Sequence, residues 1–235
     1  MRSKLINKVN EKPTLKIIFK WIERNPFVGT WALFKSAIAT YKLTGSVYPI
    51  KCLVYPHMNI KIKREKSSSV KIKGILHVEC AWVSSGQSYI EIGDGGSLVV
   101  AGDLKIGQNV VFLISKNALL EFGGGCDSEP SGVTSDSKLL VKEKVTIGKG
   151  CIFSWGTLIT DSNWHKINGK LKVKPVHIGD HCWFSHDVSI LPGARTNKEI
   201  VVSAKSVVSD QCSTSNVILS GNPASVKCEI SDWSH

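Results

Sequence analysis

Histidine is the side chain whose charge changes nearest to neutral pH, which suits it to taking a proton from a weak nucleophile. The segment Asp161-Ser162-Asn163-Trp164-His165 offers one, with a carboxylate four residues before it. An alcohol attacks a carbonyl poorly at neutral pH. An imidazole that removes the alcohol's proton during the attack supplies the help this reaction needs. Asp161 is then the group expected to orient or polarise the His165 ring. A solvated histidine on a loop has the same spacing, and the residues alone leave both readings open.

A repeat must position these groups. An apolar residue recurs every six positions at Ile178, Phe184, Ile190, Val202 and Val208, and only Thr196 breaks the series. Four residues after these positions stands something small or compact: Cys182, Val188, Ala194, Ser206 and Cys212. A period of six is neither the 3.6 of a helix nor the 2 of an isolated strand. It fits a triangular prism wound from short flat strands, one hexapeptide to a side and three to a turn. The apolar residue fills the prism, and the small one fits its inner corner. Val141, Ile147, Phe153 and Ile159 form a second run of the same kind, one residue out of phase with the first. The excursion implied between the runs is 163–175, and its Asn168-Gly169 pair predicts a tight hairpin turn. The expected fold is thus an all-β parallel β-helix carrying His165 on an outward loop, where rigid scaffolds hold their reactive groups. The looser phase over 92–122 predicts irregular or longer-sided first turns. Residues 123–138, rich in Gly, Ser and Asp, read as a loop leaving the prism.

The formal charge is +11, unevenly spread. Residues 1–73 hold 16 Lys and Arg against 3 acids, whereas 74–235 hold 14 against 16. A basic end of this kind fits an anionic neighbour or a solvated face. Residues 1–13 are polar and basic. Leu15, Ile18, Phe19 and Ile22 then share a helical face; Asn25-Pro26 starts a second helix. Phe27, Trp31, Phe34, Ile38 and Tyr41 line that helix, and Gly45 ends it. Two uses are open to this segment, 1–46: capping the end of the prism, or resting on a membrane interface. The coil is expected over 47–228, and 229–235 reads as a tail. No apolar run approaches the length of a membrane span, and no secretory signal is read. Seven single cysteines, three of them (Cys151, Cys182, Cys212) at small corner positions, read as reduced, space-filling thiols in a cytoplasmic protein.

The wording IG-x-x-x-W at Ile178–Trp183, SILPG at 189–193 and NVILSGNPA at 216–224 resembles the hexapeptide-repeat acyltransferases. The resemblance covers roughly 90–228 and is most specific over 147–227. It implies a left-handed coil, a homotrimer, and acetyl-CoA held in a groove between two prisms. His165 stands where sugar-modifying members of the family, of the maltose, galactoside and surface-polysaccharide types, carry their catalytic histidine. DSNWH resembles the D-x-D-x-H variant of polysaccharide-modifying members, with Asn163 replacing the second Asp; Asn163 and Trp164 then become candidates to meet the acceptor sugar. The coenzyme positions carry over to Trp183, His186, Ala204 and Ser209, and to the turn Gly221-Asn222-Pro223. Asp210 stands where the family has Lys, so Lys205 is expected to compensate. Lys227, one residue before the family's terminal basic position, is expected to meet the 3′-phosphate.

The resemblance therefore implies acetyl transfer to a sugar hydroxyl of a bacterial surface polysaccharide or its precursor, and the basic N-terminal helices suggest that a cytoplasmic protein meets this acceptor peripherally at the inner membrane. Transfer to an amine is the nearest alternative. His181 and His186 stand five apart, a spacing shared with γ-type carbonic anhydrases, but they fall on different hexapeptide positions from that family's zinc ligands, so no metal is expected. A non-catalytic polyanion-binding module is the remaining reading; no nucleic-acid-binding pattern accompanies the basic segment, so no nucleic-acid partner is expected.

Overall fold

The computed structural model describes residues 13–79, 86–126 and 128–234. Helices α1 (Pro13–Arg24) and α2 (Pro26–Thr44) come first, and residues 1–12 lie outside the described part. The rest winds as a three-sided parallel coil. Its faces are sheets of nine, seven and seven strands, and a separate two-stranded hairpin leaves it. Face I begins with Cys52–Val54, face II with Ile60–Arg64 and face III with Ser69–Ile72, and the chain visits the faces in that order on every turn.

The six-residue signal explains the inside of the prism. Ile178, Phe184, Ile190 and Val202 are buried, as are Val141, Ile147, Phe153 and Ile159. Phe153 and Phe184, one above the other on face I, stack with ring centroids 4.9 Å apart. Thr196 is also buried, filling its place in the series. Cys151, Cys182, Ala194 and Ser206 are buried small residues, and every described cysteine is a free thiol.

Turn length divides the coil. Trp183 pairs with Val201 and Ser189 with Val207, each eighteen residues on, which is three hexapeptides. Tyr89 instead pairs with Val111, and Ser97 with Leu119, each twenty-two residues on. The early turns are longer-sided, as the loose phase predicts, and strands such as Ser88–Ile92 alternate buried and half-buried residues over their whole length. The predicted loop at 123–138 is shorter than expected. Gly132–Val133 is a face I strand paired on both sides, so the chain leaves the coil only before it. Two residues suffice for a rung at that point, a length too short for hydrophobic periodicity to register.

Helix α2 closes the open end. Asn25 caps it by accepting from the Val28 N–H at 3.2 Å, and Gly45, at φ 81°, ends it with its N–H on the Tyr41 carbonyl. The first strand of face I has no strand before it, so its outer N–H groups need other partners. Ser36 and Thr40, one helical turn apart, supply them: Ser36 Oγ accepts from Val54 N at 2.9 Å, and Thr40 Oγ1 from Cys52 N at 3.1 Å. Capping is therefore done by the small face of α2 (Ala32, Ser36, Ala39, Thr40 and Leu43, all buried), not by its aromatic stripe. Gly29 lets α1 cross closely, because a Cβ there would lie 2.5 Å from the Ile22 nitrogen. In α1, Ile18 is buried and Phe19 is exposed, while the side chain of Leu15 lies outside the described residues.

Candidate active site

The excursion is a β-hairpin, Ser162–Ile167 paired antiparallel with Lys170–Val173. It leaves the corner between face II, after Leu158–Thr160, and face III, before Val176–Ile178. Asn168 (φ 51°) and Gly169 (φ 73°) make the tight turn that their pairing predicts. Lys166 faces Leu171 and Ser162 faces Val173, so Asn163, Trp164 and His165 together stand opposite Lys172 alone. That is a bulge, a device that re-aims side chains.

Asp161 sits at the root, fully buried. Its Oδ1 accepts from Lys142 N at 2.7 Å, and its Oδ2 accepts from Glu143 N at 2.7 Å and Lys144 N at 2.6 Å. The expectation that Asp161 orients the imidazole is not met. The carboxylate is turned into the prism corner one coil below, where three backbone N–H groups engage it. The Lys174 N–H closes the hairpin base on the Asp161 carbonyl.

Trp164 is the locked member of the bulge. Its φ of 61° is uncommon for a bulky side chain and requires holding. Ser162 Oγ accepts its backbone N–H at 3.0 Å, and Thr160 Oγ1 accepts its indole N–H at 3.0 Å. Lys142 Nζ lies 5.7 Å from its ring centroid. Asn163 and His165 are exposed on either side of it. The His165 ring makes no hydrogen bond among the described residues, so the bulge alone sets where it points.

The residues matched to coenzyme positions gather on two edges. Along the corner between faces I and II, His186 stacks on Trp155 with centroids 5.1 Å apart and planes 6° from parallel. His186 Nδ1 lies 3.1 Å from an Asp187 oxygen, and the His186 carbonyl receives the Lys205 N–H. Ala204 and Lys205 continue that column, and Gly221 joins its top by donating to Ser206 Oγ at 3.1 Å. Asn222 and Pro223 complete the turn into Ala224–Glu229, a strand that carries Lys227 exposed. Trp183, on face I beside this edge, is partly exposed and donates from its indole to Ser154 Oγ at 3.2 Å.

Ser209 lies elsewhere, at the corner between faces II and III, on the same edge as the hairpin. There a cavity of about 360 Å³ is lined by Lys172, Lys174, Arg195, Ser209, Asp210 and Gln211. Lys205 is at the other end of Val207–Val208, so within one protomer it does not join Ser209. The cations beside Ser209 are Lys172, Lys174 and Arg195.

Two aromatic residues escaped the sequence reading. Trp155 occupies the turn position one coil below His186, a placement implied once Phe153 is set under Phe184. Trp233, in the expected tail, stacks on His181 at 4.2 Å and donates to the His181 carbonyl at 3.0 Å. His181 Nδ1 also meets Glu199 Oε2 at 2.5 Å. His181 and His186 thus sit at different corners with different partners, and no group of three or more metal-ligating side chains occurs among the described residues.

No family model matches the chain. It is 32% identical over 128 residues to the Escherichia coli K12 protein named "Putative colanic acid biosynthesis acetyltransferase WcaF", which spans 52% of this chain and 67% of that protein. The chain belongs to the hexapeptide-repeat acyltransferases. The Lactococcus lactis galactoside O-acetyltransferase is 28% identical over 135 residues, 54% of this chain and 64% of that one. Among solved structures, the polySia specific acetyltransferase NeuO matches with a TM-score of 0.51 at 17% identity, covering 75% of this chain and 89% of that chain. That likeness concerns the fold: this hexapeptide-repeat acyltransferase is wound as the left-handed β-helix of its family.

Proposed function

We propose that this acyltransferase moves the acetyl group of acetyl-CoA to a hydroxyl of a bacterial surface polysaccharide, or of its lipid-linked precursor. The reading rests on one arrangement: the exposed imidazole and most of the matched coenzyme positions (Trp183, His186, Ala204, Lys205 and the Gly221-Asn222-Pro223 turn) occupy two different edges of the prism, with face II between them, while Ser209 shares the hairpin's edge. One protomer cannot bring both to a single thioester. A closed threefold ring can, because each protomer then sets its corner between faces I and II against the next protomer's corner between faces II and III. A homotrimer is the assembly this reading requires.

In the step proposed, the sugar hydroxyl oxygen attacks the thioester carbonyl carbon while His165 takes its proton. The C–S bond then breaks, and the coenzyme thiolate leaves and recovers that proton from the imidazolium. Transfer is direct, with no acyl-enzyme. Asn163 serves the acceptor as a hydrogen-bond partner, and the exposed part of the Trp164 ring serves as a stacking surface. Trp183, His186, Ala204, Lys205 and the Gly221-Asn222-Pro223 turn hold the coenzyme along one edge, with Lys227 towards its nucleotide end, and Ser209, on the hairpin's edge, meets it from the opposing protomer. The name of the colanic acid relative supports a polysaccharide acceptor, and that of the polySia relative supports an acidic one. The protein would then work in the cytoplasm, meeting its acceptor peripherally at the inner membrane through 1–46.

Acetyl transfer from labelled acetyl-CoA, screened over neutral and acidic glycans, tests this. His165→Ala should lower turnover by about 10²–10⁴-fold. Undiminished transfer by that variant would remove His165 from the chemistry.

A further inference from the structure

Helix α2 turns its small face to the coil and its large apolar residues outward. Phe27 is 89% exposed, Trp31, Phe34 and Tyr41 more than half exposed, and Ile38 is 38% exposed. The Trp31 and Phe34 rings stack at 5.6 Å, so the stripe forms a ridge and not a scatter of single residues. An exposed apolar patch of this continuity marks a contact surface. No helix among the described residues is long and apolar enough to cross a membrane. The ridge is therefore suited to lying on an interface, the level at which Trp and Tyr side chains are favoured.

Charge selects the occupant. Lys16, Lys20 and Arg24 of α1 and Lys42 of α2 are exposed around this end of the coil, and Glu23 is the only acid within 13–46. Lys35 belongs to the cap instead, donating to the Pro56 and Met58 carbonyls at 2.8 and 2.6 Å. Residues 74–235 carry a slight acidic excess, so the basic and apolar characters coincide at one end only. A second protein copy would bring the same positive charge to the contact. An anionic bilayer brings the opposite charge together with an apolar interior.

We propose that the outward ridge Phe27-Trp31-Phe34-Ile38-Tyr41, with the basic residues around it, lays the protein on an anionic lipid surface; this names the contact in the proposed reading that the acceptor is met at the membrane. In a threefold ring the three ridges share one end of the assembly, so individually weak contacts act together.

The test is flotation of the full-length protein with vesicles of phosphatidylcholine alone or mixed with phosphatidylglycerol. Binding is expected to the mixed vesicles and to weaken as salt rises. The triple variant Phe27→Ser/Trp31→Ser/Phe34→Ser should bind at least about tenfold less while melting like the parent and still acetylating a soluble acceptor. Equal flotation of parent and variant, or no binding by the parent, overturns the proposal. So does a variant whose assembly state changes in gel filtration, since the ridge would then be a protein interface. Loss of acetyl transfer in the His165 variant alone bears on the catalytic reading and leaves this one standing.

Discussion

The root and the crest of the hairpin are four residues apart and built on opposite terms. Asp161 is completely buried, and three backbone N–H groups engage its carboxylate. His165 is exposed, and its ring makes no hydrogen bond among the described residues. Between them Trp164 is fastened at its backbone, its indole and its ring. A carboxylate near a histidine suggests a catalytic dyad, yet here the carboxylate secures the scaffold and leaves the imidazole unencumbered. Freedom at the crest has a physical cost: the bulge, and not a partner, must hold the imidazole in place.

The sharpest separation is between rate and stability. His165→Ala is expected to raise the barrier by about 3–5.5 kcal/mol, the equivalent of its 10²–10⁴-fold loss of turnover. Its melting temperature should match the parent's, because an exposed side chain without partners contributes little to folding. Melting followed by circular dichroism alongside the transfer assay checks both, and a marked fall in melting temperature would mean the imidazole has a structural role.

Asp161→Ala should behave in the reverse manner. Three N–H groups at the 142–144 turn lose a charged acceptor, and the hairpin loses its anchor. A cost of about 3 kcal/mol is expected, or roughly 6–12 °C of melting temperature for a chain of this size. Below the transition, turnover should remain within about tenfold of the parent, a loss well short of that expected when a general base is removed. A variant that melts normally but is inactive would restore the dyad and break the comparison.

The hexapeptide signal made the prism legible because burial repeats where the strands are short: Ile178, Phe184 and Ile190 all face inward as their spacing demands. The hairpin and its Asn168-Gly169 turn were legible for a local reason, since a tight turn needs two residues that tolerate positive φ. The direction of Asp161 was not. Its acceptor role depends on N–H groups at 142–144, nearly twenty residues earlier and adjacent only because the coil stacks one turn on the next. The outward stripe of α2 was hidden for a related reason. Helical spacing identifies an apolar face but not its neighbour, and Ser36 and Thr40 took the inner position because an unpaired strand edge offers N–H groups. The division of the coenzyme positions between two corners needs the turn lengths, which vary along this chain.

The smallest effect lies between root and crest. Thr160 Oγ1 accepts from both the Ser162 N–H and the Trp164 indole, and donates to the Ser162 carbonyl at 3.1 Å. Thr160→Val keeps the shape and deletes all three bonds, at a cost of about 1–2 kcal/mol. If the bulge positions the base through Trp164, turnover should also fall by about three- to tenfold, since a base displaced from its line of attack loses rate without losing its chemistry. The expected outcome is a modest shift in both readouts, where His165→Ala moves only rate and Asp161→Ala chiefly stability. A valine variant that loses stability alone would mean that Trp164 packs the hairpin but does not aim its neighbour.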